Sequence, residues 1–307
     1  MPTHELETIP EVTLHVVAAF TRGEDGGNLA GVVLDADGLA ETHMQAIAAD
    51  AGYSETVFVS RLTAAGARLD FFTPTRRIAD CGHATVAAFW LLRETGRIRP
   101  GKTSKEIQDG VRRIVVTDNE IFMAQREPRY RFQAEWTGVR LTDVLAALGL
   151  TPSQLDATFE PLIADAGGPF IMIALRGEAD LAGVVPDQAA LLAISETLDL
   201  TGFYLFAADP ASGAGDVTTR MFAPRYGIPE ESATGMAAGA LGAVLHDIAG
   251  RPGPEFRIEQ GRHMRPASPS LLKVRLGLSG DGHARDVMTG GAAALRAARQ
   301  VAAPPSR

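Results

Sequence analysis

An internal repeat constrains the fold of this chain more than any other feature of its sequence. The segment 72–74 (FTP) is followed, eight residues after its proline, by Gly82 and a long run of apolar and small residues. The segment 222–224 (FAP) is followed, eleven residues after its proline, by Gly235 and a similar run. The two prolines are 150 residues apart (224 − 74). This spacing predicts a duplicated unit, although short Gly- and Ala-rich segments also resemble one another by chance.

The two runs predict two buried helices, at about 82–95 and 235–249, because neither run carries a charged stripe before its last turn. The segments around them are short apolar stretches separated by Gly, Pro and Asp, which is typical of strands. We therefore predict an α+β fold of two pseudo-symmetric domains, 1–128 and 129–307. Each is expected to be a curved, mostly antiparallel β-sheet barrel around its central helix. The last 20 or so residues form either a helix or a closing strand, and they are candidates to pack on the first domain.

Composition narrows the classes of partner. The 307 residues carry 37 acidic against 29 basic side chains, a net charge of −8, so the protein has no overall basic field for nucleic acid or an anionic membrane. One cysteine excludes an intrachain disulfide framework and a thiolate zinc cluster. The N-terminal residues are acidic and lack an apolar leader, and no apolar run is long enough to span a bilayer. We expect a soluble, cytoplasmic protein.

Each predicted central helix begins at a glycine directly after a strand. Free N–H groups and the positive end of the helix dipole lie at such an N-terminus, which suits a carboxylate ligand. If the pseudo-symmetry points Gly82 and Gly235 at each other across an inter-domain cleft, that cleft is an anion site. The alternative is that each glycine only eases a tight turn between strand and helix.

Five stretches together resemble one known family. They are 27–34 (GNLAGVVL), 54–59 (SETVFV), 70–88 (DFFTPTRRIADCGHATVAA), 220–241 (RMFAPRYGIPEESATGMAAGAL) and 259–266 (EQGRHMRP). The chain resembles the phenazine-biosynthesis (PhzF-like) isomerase family, which has a diaminopimelate epimerase-like fold. The resemblance implies two domains, a cleft between them, and often a homodimer. It also implies cofactor-independent proton shuttling on a small carboxylic or amino acid. No metal is predicted, because the six histidines other than His83 show no metal-ligand spacing.

The resemblance assigns the acid/base to Glu55, in the motif SETVF. One carboxylate can take a proton from one carbon and return it to another if a partly dry site raises its pKa toward neutrality. From the residues alone, the favoured alternative is that Glu55 is a surface carboxylate at a strand edge.

The motif CGHAT places a second group of candidates at the start of the first central helix. The resemblance implies that His83 holds or polarises the substrate, with the amides of Gly82 and Ala84 available for its carboxylate. The alternative for His83 is a capping or core histidine. The single thiol, Cys81, excludes a symmetric mechanism with two opposed cysteines and is expected to be a small buried hydrophobe.

In the second repeat, Glu231 lies where the family has an aspartate, so the resemblance implies a third catalytic group there. Its alternative is a solvated acid favoured by the helix dipole. Thr234 and Gly235 are expected to bind substrate, and Met236 replaces a serine, which makes that wall of the site more apolar. Asn28 is a further substrate-binding candidate, in the sequence GNL where the family has GNP.

The sequence therefore predicts a cofactor-independent isomerase or epimerase in which Glu55 moves the proton while His83 and Glu231 position and polarise the substrate. The alternative is a non-catalytic relative that binds a small acid or a protein partner, since a shared fold does not guarantee shared chemistry.

Overall fold

The computed structural model describes residues 11–23, 26–208 and 210–302. The predicted domain ranges also include residues 1–10, 24–25, 209 and 303–307, which lie outside the described residues. The strands are β1 Glu11–Ala19, β2 Asn28–Val33, β3 Thr56–Ser60, β4 Gly66–Phe72, β5 Arg77–Ile78, β6 Gly101–Ile107, β7 Gly110–Val116, β8 Ile121–Ala124, β9 Arg129–Arg131, β10 Leu162–Asp165, β11 Pro169–Leu175, β12 Gly202–Ala208, β13 Val217–Ala223, β14 Ile228–Glu231, β15 Glu255–Gln260, β16 Ser270–Leu278, β17 Ala284–Gly291 and β18 Ala293–Ala302. The helices are α1 Glu41–Ala51, α2 Gly82–Glu94, α3 Leu141–Ala147, α4 Glu178–Ala182, α5 Gln188–Leu198 and α6 Gly235–Asp247.

The described chain divides into two compact units. Unit 1 comprises residues 11–19, 29–121 and 293–302, and unit 2 comprises residues 20–23, 26–28, 122–208 and 210–292. The division differs from the ranges 1–128 and 129–307 because the boundary lies near residue 121 and residues 20–23 and 26–28 belong to unit 2. The C-terminal strand belongs to unit 1, as the sequence allows for the last 20 or so residues.

The two units repeat one order of strand pairing. In unit 1, β2 pairs parallel with β3, β3 antiparallel with β4, β4 parallel with β6, and β6 antiparallel with β7. In unit 2, β11, β12, β13, β15 and β16 pair in the same succession and with the same directions. Helix α2 lies between β5 and β6 along the chain, as α6 lies between β14 and β15. The duplication and the α+β class predicted from the sequence are therefore confirmed.

The central helices are buried on nearly every face. Within α2 every residue from His83 to Phe89 is buried, and within α6 the same holds from Ala237 to Leu245. Small residues allow this close packing, since a Cβ on Gly235 would lie 2.9 Å from the Met123 Cε atom and 3.4 Å from the Phe20 ring. Both helices are buried, which confirms the prediction made from the two runs without a charged stripe.

The C-terminal segment forms a closing strand and not a helix. Strand β18 pairs antiparallel with β1 along its whole length, from Ala293 opposite Ala19 to Ala302 opposite Glu11. Its alanine content favours a helix locally, so pairing with an available strand overrides the local preference. No helix in the described part of the chain has the length and apolarity needed to cross a bilayer.

Candidate active site

The first cluster of site residues lies in unit 1, where the chain enters β3 and α2. Glu55 directly precedes β3, and its carbonyl accepts a 3.0 Å hydrogen bond from the Gly31 amide of the neighbouring strand. Cys81 is the N-cap residue of α2, and Gly82 is the first residue of the helix. His83 therefore lies in the first helical turn, with its side chain 3% exposed.

Three buried side chains meet at this point. His83 Nε2 lies 3.2 Å from Glu55 Oε2, and His83 Nδ1 lies 3.4 Å from Cys81 Sγ. The imidazole thus contacts the carboxylate with one nitrogen and the thiol with the other. Because Glu55 is only 8% exposed, it is not the surface carboxylate that the sequence left open.

The pKa of Glu55 in this cluster is shifted in the direction opposite to the one expected from the sequence. Burial would raise the pKa of Glu55, but the imidazole of His83 next to the carboxylate outweighs it, and the pKa is lowered. The expectation that a dry site raises this pKa is therefore wrong in direction. Burial opposes the charge on His83 in the same way, yet Cys81 and Glu55 raise its pKa well above the ordinary value of 6.5. Burial raises the pKa of the Cys81 thiol.

Near neutral pH these directions favour a carboxylate on Glu55 and a neutral thiol on Cys81, and the carboxylate favours the protonated form of the neighbouring His83 imidazole. A buried ion pair of this kind leaves a base next to a fixed positive charge. The role of Cys81 as a small hydrophobe is thus incomplete, because its sulfur contacts the histidine ring and accepts a hydrogen bond from the Ala84 amide. The proposed use of that amide by a substrate stays a prediction, as does that of Gly82.

The same three residues are chemically able to hold a metal ion. Glu55, Cys81 and His83 each offer one ligand atom, and those atoms lie within 4.8 Å of one another. Carboxylate, thiolate and imidazole are all donors that zinc accepts. However, the carboxylate and the thiol contact opposite nitrogens of the ring, so an ion bound through one nitrogen leaves the other contact unused.

A second cluster lies in unit 2, around the N-terminus of α6. Glu231 ends β14, and Thr234 is the N-cap residue of α6. The Asn28 side-chain amide donates to Glu231 Oε1 at 2.9 Å and to the Ala233 carbonyl at 3.0 Å. The Thr234 hydroxyl donates to Glu231 Oε2. The structure therefore brings together three of the residues that the sequence singled out, and each oxygen of the Glu231 carboxylate has a fixed donor.

The sequence analysis did not identify the buried amide that holds this cluster. Gln260 Nε2 donates to the Glu231 carbonyl at 2.8 Å and to Thr234 Oγ1 at 3.0 Å. Its Oε1 accepts from the Thr234 amide at 3.1 Å and from the Tyr204 hydroxyl at 2.9 Å. Gln260 lies in one of the stretches that carry the family resemblance, whereas nothing in the local sequence points to Tyr204.

The remaining candidates lie at the same helix N-terminus. Gly235 is buried and Met236 is half-buried. The Met236 sulfur lies 3.5 Å from the point where Gly167 would carry a Cβ, so an apolar side chain does occupy this side of the α6 N-terminus. The neighbouring Glu230 is not part of the cluster, because both its oxygens accept from the buried Arg220 guanidinium at 2.8 Å.

Comparison with known proteins identifies the family. The model of the family described as phenazine biosynthesis-like protein matches residues 17–298. The chain belongs to this family.

Individual relatives are described as isomerases. The uncharacterized isomerase YddE of Escherichia coli is 35% identical over 257 residues, which is 80% of this chain and 84% of the relative. The trans-2,3-dihydro-3-hydroxyanthranilate isomerase of Pseudomonas chlororaphis is 31% identical over 272 residues, 85% of this chain and 88% of the relative.

Among solved structures, the crystal structure of the Bacillus anthracis phenazine biosynthesis protein of the PhzF family superposes with a TM-score of 0.86. The superposition covers 95% of this chain and 99% of that one at 24% identity. At this identity the likeness establishes the fold.

Proposed function

We propose that the protein is a cofactor-independent isomerase or epimerase that moves a proton between two positions of a small carboxylic or amino acid. The observation that carries this proposal is the buried Glu55–His83 pair at 3.2 Å. It joins a base to a fixed positive charge, which is what carbon–proton chemistry requires when no metal or cofactor takes part.

The reaction begins with the Glu55 carboxylate accepting a proton from a carbon next to the carboxyl group of the substrate. The C–H bond breaks, and its electron pair spreads into that carboxyl group. Glu55 is then a neutral acid, and the imidazolium of His83 stabilises the negative charge on the substrate. Glu55 returns the proton to a different carbon, or to the other face of the same carbon, and the carboxylate is restored.

Because the pKa of Glu55 is lowered, proton abstraction and proton return are not equally favourable. A carboxylic acid of low pKa gives up its proton readily, so the return step is favoured. Abstraction is the harder step, and it depends on stabilisation of the substrate anion by His83 and by backbone amides at the α2 N-terminus. Substrate binding to these groups is therefore a condition for activity.

The Glu231 cluster supplies a second means of recognition. Its carboxylate is fixed by Asn28 and Thr234, so it offers a negative charge of defined position for an ammonium or hydroxyl group of the substrate. The side chain of Met236 favours an apolar substrate portion beside that group. Together these features suit a small acid that carries one polar substituent.

Proton NMR in deuterium oxide tests the proposal. The unmodified protein and its Glu55→Gln variant are incubated with a panel of small amino acids, hydroxyprolines and unsaturated cyclic acids, including trans-2,3-dihydro-3-hydroxyanthranilate. We expect deuterium at a carbon-bound position with the unmodified protein and none with the variant. Glu196→Gln is the matched control, since Glu196 is exposed on α5, and it is expected to exchange normally.

Two results contradict the assignment. Equal exchange by Glu55→Gln and the unmodified protein removes Glu55 from the reaction. Tight binding of a panel compound with no exchange by any protein favours the alternative that the chain is a binding protein.

A further inference from the structure

The side-chain amide of Gln260 is fully buried at the end of β15, and all of its hydrogen-bonding capacity is used. Its Nε2 atom lies 2.8 Å from the Glu231 carbonyl, which can only accept, and its Oε1 atom lies 3.1 Å from the Thr234 amide, which can only donate. These two partners fix the orientation of the amide. The second hydrogen of Nε2 is then donated to Thr234 Oγ1 at 3.0 Å, and Oε1 accepts a second bond from the Tyr204 hydroxyl.

Thr234 is the N-cap residue of α6, but its hydroxyl does not cap the helix. The side-chain oxygen of an N-cap threonine ordinarily accepts from the amide of the second or third helical residue, which here are Met236 and Ala237. The Thr234 hydroxyl accepts from neither of them. Instead it donates to Glu231 Oε2 and accepts from Gln260 Nε2. The hydroxyl is therefore turned toward the carboxylate and away from the helix.

The backbone amide of Thr234 also has an unusual partner. In a capping box, the side chain of the third helical residue accepts from the N-cap amide. The third residue of α6 is Ala237, whose methyl group cannot accept a hydrogen bond. Gln260 Oε1 accepts from this amide in its place. One side chain from β15 thus contacts both the amide and the hydroxyl of the N-cap residue.

We propose that Gln260 is a positioning residue for the Glu231 cluster, which holds the Thr234 hydroxyl on the Glu231 carboxylate and keeps it from capping α6. The amides of Met236 and Ala237 then stay uncapped by that hydroxyl, as a substrate carboxylate at this helix N-terminus requires. The inference rests on the proposed function only in that Glu231 is assigned to substrate recognition. The alternative is that Gln260 stabilises the fold and has no influence on the partner that the hydroxyl takes.

Amide hydrogen exchange, followed by NMR, distinguishes the two roles without a substrate. In Gln260→Met, an apolar side chain of similar length replaces the amide, so the Thr234 oxygen is released to cap the helix. We expect the Met236 or the Ala237 amide to exchange about fivefold more slowly than in the unmodified protein, because it gains a capping hydrogen bond. The Leu241 amide, in the middle of α6, is the internal reference and is expected to exchange as fast as before or faster. If Gln260 only stabilises the fold, no amide at the start of α6 exchanges more slowly.

Two further variants identify the cause of a slower exchange. Tyr204→Phe removes one donor to the same amide but keeps both bonds of Nε2, so it is a matched control for lost stability. Its Met236 and Ala237 amides are expected to exchange within about twofold of the unmodified protein, since the first turn of a helix exchanges by local opening. Thr234→Val in the Gln260→Met background removes the hydroxyl, and the slowing is expected to disappear.

Far-UV circular dichroism verifies that each variant is folded. Gln260→Asn is shorter by one methylene, so its amide cannot reach both partners, and it replaces Gln260→Met if that variant does not fold, with the same expected sign. Slower exchange at the start of α6 that requires the Thr234 hydroxyl supports the proposal. Unchanged or faster exchange overturns it, as does slowing that persists without the hydroxyl or that is equal in Tyr204→Phe. Because no substrate takes part, these outcomes are independent of the test of Glu55.

Discussion

Replacing Glu55 by glutamine is expected to reverse the way in which stability depends on pH. The pair separation of 3.2 Å corresponds to an attraction of about 5 kcal/mol at an effective dielectric constant near 20. Burial of both groups cancels a large part of that attraction. Removing one partner of a buried pair still leaves the other charge uncompensated, at a cost of about 3 kcal/mol.

The sign of the pH dependence of stability follows from the ionisation of His83 and of Glu55. The pKa of His83 is higher in the folded chain than its ordinary 6.5, so the folded state holds this proton more tightly than the unfolded chain. The resulting stability is complete below pH 6.5 and is lost as the pH rises through the raised pKa. The lowered pKa of Glu55 contributes stability that is present above its ordinary 4.5 and is lost as the pH falls through the lowered pKa.

Without the carboxylate, burial lowers the pKa of His83, and the folded chain must release a proton that the unfolded chain keeps. The variant is therefore least stable on the acid side. We expect a loss of about 3 kcal/mol near pH 6 that shrinks as the pH is raised toward 9 and His83 loses its proton.

Urea unfolding measures this difference. Trp90 lies on α2, so its fluorescence in a Trp136→Phe background reports on unit 1. Both proteins carry the same seven histidines, so the difference between their curves isolates the pair. Parallel curves across this pH range refute the assignment of a charged Glu55–His83 pair.

Four further substitutions, of which Gly280→Ala is a control, give additional tests of the structure. Gly239→Ala places a Cβ 2.2 Å from the Gln125 Oε1 atom, and we expect it to lower the free energy of unfolding by about 1–3 kcal/mol; Gly280→Ala, which meets nothing within 4 Å, should change it by less than about 0.5 kcal/mol. Tyr204→Phe leaves a buried amide oxygen without one of its donors and should cost about 1–3 kcal/mol in the same assay. Cys81→Ser should retain deuterium exchange within about tenfold, because burial raises the pKa of this thiol and keeps it from acting as a base; abolished exchange contradicts that role.

The sequence was sufficient where one local property determines the structure. The run from Gly82 to about residue 95 has no charged stripe, and an uncharged helix must be buried, so α2 was predicted within a residue of its observed end, Glu94. The residues of β18 do not decide between a helix and a strand, because alanine favours a helix, and only the pairing with β1 makes this segment a strand.

The site was predictable only as a set of residues. The motifs identify Glu55 and His83, but they lie 28 residues apart in sequence (83 − 55), and their separation depends on how β3 and the start of α2 pack. The direction of the Glu55 pKa follows from that contact and was therefore missed. Gln260 reaches the Glu231 cluster from β15, so no local pattern reveals what its side chain holds.

In the proposed reaction, one carboxylate, Glu55, removes and returns the same proton. The most direct test is a substrate found by the exchange screen, labelled with deuterium at the reacting carbon and converted in ordinary water. A single carboxylate carries part of the label to the new position in the product, and Glu55→Gln forms no labelled product. Transfer of the label to the new position by the Glu55→Gln variant as well contradicts this assignment, since another group would then remove and return the proton.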